Sequence, residues 1–210
     1  MPAGTMTISL NNISKRFQRH WIFRDISYSF SSNNAYAILG ANGSGKSTLL
    51  RIIAGIQAAS TGKIAYTHND SDVEAANIFP HISFTAPGQE IIEEMTLQEF
   101  LQFHFSFKKP IQGLDINSII NLLGLEASAN KPIGDYSSGM RQRVKLAQAI
   151  FSDTPILLLD EPCTNLDQQG VEQYCEWIEK YASNRLVIVA SNDPREYFFC
   201  KEHLSIEDYK

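Results

Sequence analysis

At 210 residues, with 18 Lys and Arg against 23 Asp and Glu, the chain has a formal net charge of -5 and room for one sizeable core carrying a small inserted subdomain. The acidic balance disfavours broad attraction to nucleic acid, and no apolar stretch approaches the roughly 20 residues needed to cross a bilayer, so no membrane span is expected. Met1 to Met6 has neither a basic region nor an apolar core, which predicts no secretory leader and a cytoplasmic setting, and three scattered cysteines, Cys163, Cys175 and Cys200, read as free thiols.

Strand-like stretches open the chain at Thr7 to Leu10 and at Ile26 to Phe30, the second alternating as Ile26, Tyr28, Phe30, with Ser31 to Asn34 as a turn. They predict a small antiparallel sheet ahead of the main one. The apolar run Ala35 to Leu39 then reads as a buried strand. It leads directly into Gly40-Ala41-Asn42-Gly43-Ser44-Gly45-Lys46-Ser47, which fits G-x-x-x-x-G-K-[ST] at every fixed position. Such a loop curls so that successive N–H groups meet phosphate oxygens, while the lysine adds a point charge and the Ser47 hydroxyl is suited to Mg²⁺. Leu49, Leu50, Ile52 and Ile53 have helical spacing up to Gly55, so the loop opens a helix whose N-terminus faces the anion. Gly40, Asn42, Gly43, Ser44, Gly45, Lys46, Ser47 and Thr48 are therefore the expected nucleoside triphosphate contacts.

Between Ile64 and Thr85 short strand candidates flank the polar turn His68 to Asp72. The texture then becomes helical: Thr96 and Glu99 form a capping box, and Ile116 to Leu123 is closed by Gly124. Residues 90–135 are thus expected to be a helical insertion. Alternation resumes with a helix from Ser138 to about Phe151, the strand Ile156 to Leu159, a helix around Val171 to Tyr181 and the strand Leu186 to Ala190, the rhythm of a parallel α/β core. Ile156-Leu157-Leu158-Leu159-Asp160-Glu161 ends in two acids at the sheet edge where open α/β folds bind ligands. Asp160 is suited to holding Mg²⁺, and Glu161 to polarising a water that attacks the γ-phosphate.

A third element, Tyr136-Ser137-Ser138-Gly139-Met140-Arg141-Gln142-Arg143, lies ahead of the acidic strand. With it the chain resembles the ATP-binding subunits of ABC transporters over nearly its whole length. The resemblance implies a phosphate-loop NTPase core with a parallel sheet, an N-terminal antiparallel β-subdomain and an inserted helical subdomain, all within one ATP-binding domain spanning 1–210. It also makes Thr164-Asn165-Leu166-Asp167 the family's D-loop and sets Phe17 where an aromatic stacks on adenine, the alternative being a core residue beside Trp21 and Phe23. Ser137, Ser138 and Gly139 would present hydroxyls and free N–H groups to the nucleotide of a second copy, so that ATP closes a homodimer.

Departures from the pattern are visible. Asn192 stands where the family usually has histidine; an amide can donate a hydrogen bond to phosphate but cannot take up a proton or carry a positive charge, so weak transition-state stabilisation and slow turnover are expected, with Glu161, Lys46 and Asn192 as the catalytic group. Asp193-Pro194-Arg195-Glu196 reads as the start of a helix. The metal-sensing glutamine would fall near Pro87, leaving the offset Gln89 as either a ligand beside Ser47 and Asp160 or a solvated loop residue. Met140 and Ser138 replace a glutamine and a glycine of the signature. A kinase or GTPase fits less well, because Asn130-Lys131-Pro132-Ile133 lacks the aspartate of a guanine-reading motif. The resemblance implies ATP hydrolysis driving a separate membrane permease at the inner face of the cell membrane, in an exporter-type arrangement. The alternative is an ATP-dependent dimerising switch with little turnover and a soluble partner.

Overall fold

A computed structural model describes residues 5–210; Met1 to Gly4, the beginning of the stretch read as free of a leader, lie outside the described residues. Strands β1 (Met6–Phe17), β2 (His20–Ser31), β4 (Thr61–His68) and β5 (Ser71–Val73) form an antiparallel sheet in the order β2-β1-β4-β5. Asn69 and Asp70, at φ 51° and 60°, make the two-residue turn between β4 and β5, the left-handed pair that matches the twist of a hairpin. Met6, Ile8 and Leu10 alternate inward along β1 and meet Phe23, Ile26 and Phe30 of β2.

The second sheet is wholly parallel. It joins β3 (Ala35–Leu39), β6 (Ile82–Thr85), β7 (Ile156–Asp160), β8 (Leu186–Ala190) and β9 (Glu202–Ser205) in the order β6-β7-β8-β3-β9. Its central strands β3, β7 and β8 are apolar over nearly their whole length because both of their faces are covered. Tyr36, Ile38, Leu158 and Ile188 pack on helix α1 (Lys46–Ile53) and the antiparallel sheet. Ala37, Leu157, Leu159, Val187 and Val189 face the opposite way, onto α4 (Ser138–Ile150) and α5 (Gln168–Tyr181). That second core continues into α2 (Leu97–Phe107) and α3 (Ile116–Leu123) of the helical region.

Local signals set these helix ends. Thr96 Oγ1 accepts from the Glu99 amide while Glu99 Oε2 accepts from the Thr96 amide, the reciprocal cap read in the sequence. Gly124 closes α3 at φ 64°. Two features differ from expectation. Strand β9 has no distinct apolar run and was not anticipated; it pairs beside β3 and is half exposed at the sheet edge. Residues 193–196 form a turn, not a helix: the Asp193 carboxylate pairs with Arg195, and buried Glu196 turns inward to accept from the Cys163 amide at 2.6 Å.

His104 of α2 lies beneath the helical region with Nε2 3.0 Å from Ser152 Oγ. Burial, reinforced by the charge of Lys108, pushes its imidazole down to about 4. The unfolded chain takes up a proton near the ordinary imidazole value while the folded chain resists it, so the stability contribution is full above that value and falls as pH drops toward 4. Between pH 7 and pH 5 this group should cost about 2 kcal/mol of stability. Urea unfolding of the parent and of His104→Gln checks it: the variant should lose that much less over the same interval, and identical pH slopes would refute the assignment.

Candidate functional site

The carboxyl edge of the parallel sheet gathers the residues singled out in the sequence. Beyond β3 the chain turns at Gly40 (φ 149°) and reaches α1 through Gly45 (φ 113°), conformations in which a side chain is strained. A Cβ on Gly40 would stand 2.7 Å from Ser44 Oγ, and one on Gly45 would overlap Ile22. No side chain caps the start of α1, so its first N–H groups are free to face an anion. Ser44 Oγ is buried without a partner at the centre of the loop. Lys46, only 5% exposed, folds its ammonium onto the Gly40 carbonyl at 2.7 Å and the Ala41 carbonyl at 3.2 Å. A buried cation held by two carbonyls beside a ring of free amides fits a polyphosphate.

Sheet order brings the acids to this loop. Because β8 separates β7 from β3, the end of β7 opens toward α1, and Ser47 Oγ donates to Asp160 Oδ1 at 2.8 Å. Burial pushes the Asp160 carboxyl above its ordinary value, the Ser47 hydrogen bond working against this and the Glu161 charge with it. A hydroxyl and a carboxylate oxygen side by side are the hard donors that Mg²⁺ takes, with phosphates and water completing the shell. Glu161 follows in the left-handed region at φ 42°, its amide donating to the Ala190 carbonyl at 2.9 Å, which turns the chain off the sheet at the site. Asn192, beyond β8, donates from Nδ2 to Asn42 Oδ1 at 3.0 Å, so the residue in the histidine's place touches the phosphate loop itself.

Other expected residues lie elsewhere. Phe17 ends β1 with its ring 49% exposed and Lys15 Nζ 5.1 Å from its centre, whereas Phe23 is fully buried; the core role belongs to Phe23. Ser137 Oγ is engaged as the cap of α4, accepting from the Met140 amide at 3.2 Å. Ser137, Ser138 and Gly139 line a shallow cavity with Asn165 and Asp167, and no phosphate-loop residue shares it. Gln89 borders a cavity of about 750 Å³ with Glu93, Ser138, Arg141, Gln142 and Asn165, its Oε1 buried and unpartnered. Neither Ser47 nor Asp160 lines that cavity.

Two residues read only as parts of motifs, Gln142 of the signature and Glu196 of the expected helix start, prove to be connecting residues. Gln142, 3% exposed, donates from α4 to the Pro162 carbonyl at 2.7 Å and so ties the helix behind the signature to the acidic strand end. Glu196 receives the next amide, from Cys163, while its own carbonyl accepts from Tyr174. Their burial depends on the tertiary fold; their sequence context is ordinary.

This loop, uncapped helix and acid-ended strand define a phosphate-loop nucleotide-binding domain. The chain belongs to the ABC transporter family, whose model matches residues 23–164. It is 32% identical over 83% of its length to the sulfate/thiosulfate import ATP-binding protein CysA of Synechocystis, covering 50% of that protein. It is 30% identical over 82% of its length to the cytochrome c biogenesis ATP-binding export protein CcmA of Saccharophagus degradans, covering 81% of it. A putative ABC transporter ATP-binding protein from Pyrococcus furiosus shares the fold at a TM-score of 0.77, with 22% identity over 97% of this chain and 99% of that one. The chain thus spans from half to about four fifths of these curated relatives.

Proposed function

We propose that residues 1–210 act as one ATP-binding and hydrolysing domain that powers a separate membrane permease, in the export direction. The observation that carries this reading is the contact of Ser47 with Asp160, which joins the phosphate loop to the acidic strand and leaves Glu161 and Asn192 on either side of the same edge. Lys46 and the loop amides take the phosphates, Ser47 and Asp160 hold Mg²⁺, and Glu161 draws the proton from the attacking water. Phe17, exposed beside the loop's sheet, stacks on adenine. The signature residues Ser137, Ser138 and Gly139 meet the nucleotide of a second copy, and Gln89, in the cavity beside them, relays its presence to the helical region.

Among the described residues no helix is long and apolar enough to cross a membrane; in this reading the permease is a separate chain that docks on a surface of this one. One candidate is a groove of about 390 Å³ between α2 and the segments that follow α1 and precede β6, lined by Ile56, Phe79, Phe103 and Phe107, all exposed, and by Lys108. Purifying the Glu161→Gln form from its native host with ATP and mild detergent tests the assignment. A stoichiometric multispanning protein is the expected companion; soluble proteins alone would favour the switch.

The contact of Asn192 with Asn42 is the observation on the side of that second reading, slow turnover with ATP-driven closure. An amide here donates a hydrogen bond but carries no charge. Asn192→His should raise the steady-state ATPase rate about tenfold, less than the roughly 100-fold at which the contribution of a fully positioned acid–base group begins. A rate that stays level or falls would remove residue 192 as the cause of slow hydrolysis.

A further inference from the structure

Strand β9 delivers a short turn, Ile206–Tyr209, to the outer side of the phosphate loop. Leu39 and Ser205 are register partners at the ends of β3 and β9, so the two chains leave the sheet together. Ile206 is fully buried, and a Cβ on Gly40 would come within 3.4 Å of its Cβ. From this anchor Glu207 Oε1 accepts the Ala41 amide at 3.1 Å, and Lys210 Nζ donates to the Ser44 carbonyl at 2.8 Å. The gripped segment is itself a turn, closed by the Ser44 amide on the Ala41 carbonyl at 3.0 Å.

Peptide planarity gives these two contacts a consequence inside the loop. In a trans peptide the C=O and the following N–H point in opposite directions. Holding the Ala41 N–H outward on Glu207 turns the Gly40 C=O inward, and that is the carbonyl on which Lys46 rests at 2.7 Å. Holding the Ser44 C=O outward on Lys210 turns the Gly45 N–H toward the interior of the loop, where phosphate oxygens bind. Each plane has a glycine on one side, Gly40 or Gly45, where the missing Cβ leaves rotation less restricted than beside other residues.

We propose that Glu207 and Lys210 are positioning residues for nucleotide binding, fixing from outside the two peptide planes that set the resting place of Lys46 and the inward aim of the Gly45 amide. The proposal rests on the ATP-site reading and adds a preorganising element to it: a loop already curled does not spend binding energy on ordering. Glu207 and Lys210 hold backbone groups of the loop and make no hydrogen bond to Asp160, Glu161 or Asn192, so the expected effect is on affinity and not on the chemical step.

Titration with N-methylanthraniloyl ATP, together with KM and kcat for ATP hydrolysis, tests this. Glu207→Ala and Lys210→Met should each weaken nucleotide affinity about three- to tenfold, the scale of one charge-assisted hydrogen bond partly open to solvent. KM should rise by a similar factor with kcat unchanged. Glu207→Gln keeps an acceptor oxygen and should restore most of the affinity, while Asp208→Ala, exposed on the same turn, should leave it at the parental value. Melting temperatures without nucleotide should agree within about 2 °C for these exposed positions. Parental affinity in both Glu207→Ala and Lys210→Met, or equal losses in Asp208→Ala, would overturn the proposal. Failure of the unaltered chain to bind the nucleotide would instead sink the ATP-site reading, and the positioning role with it.

Discussion

Glu161→Gln is expected to lower ATP turnover about 10²- to 10³-fold while ATP still binds, because a positioned general base contributes on this scale and an amide cannot take up the proton. The side chain follows the buried Asp160, at a left-handed backbone position held by the Ala190 carbonyl, so the replacement changes the chemistry and leaves the turn in place. Gln has nearly the same shape, and Glu161 contributes no hydrogen bond or ion pair of its own to the fold among the described contacts of its side chain. Phosphate release under steady state gives the rate, and light scattering with and without ATP gives the assembly state. ATP should drive the variant into dimers that persist, since the step that releases them has been slowed. A turnover within about threefold of the parent would show that the proton goes elsewhere, and Glu161 would lose its role.

The second large effect falls on binding. Lys46→Met should weaken ATP affinity at least about 100-fold, because the ammonium is the one buried cation at the loop and a desolvated charge acts on phosphate far more strongly than a hydrated one. The same substitution should leave the nucleotide-free protein as stable as the parent or slightly more so. Lys46 is 95% removed from solvent with two carbonyl oxygens as hydrogen-bond partners and, among the described residues, no carboxylate within ion-pair distance, which is a costly way to hold a charge in the absence of its anion. Stability is given up at this position for function. Nucleotide titration checks the first half and thermal unfolding without nucleotide the second. Affinity within about threefold of the parent would contradict the assignment of Lys46 to the phosphates.

Much of this site was readable in the chain because its signals are local. The apolar run of Ala35 to Leu39, the glycine spacing and the uncapped helix start lie within 20 consecutive residues, and the structure places β3 and α1 where those signals set them. The Thr96 cap and the Gly124 stop are equally short-range. Residues 193–196 show how such reasoning fails. Their Asp, Pro and Glu spacing imitates a helix start, yet burying the Glu196 carboxylate on the Cys163 amide satisfies a donor 33 positions away and takes precedence over the local cap. Phe17 and Phe23 were indistinguishable by composition; the alternation of their sheet buried one and left the other open.

The sequence by itself determined the strands other than β9, the long helices, the Thr96 cap, the Gly124 stop, the phosphate loop and the family resemblance, since each rests on backbone preferences and side-chain periodicity over a few residues. Only the tertiary structure decided which strand ends share an edge. Ser47 meets Asp160 across 113 positions, Asn192 meets Asn42 across 150, and Glu207 reaches Ala41 across 166. Those meetings follow from the order β6-β7-β8-β3-β9, which is a solution of the whole packing problem, with two apolar cores to be buried on opposite faces of one sheet. Strand β9 is the clearest case: with one buried residue in four it carries almost no local signal, and it becomes a strand because the free edge of β3 pairs with it.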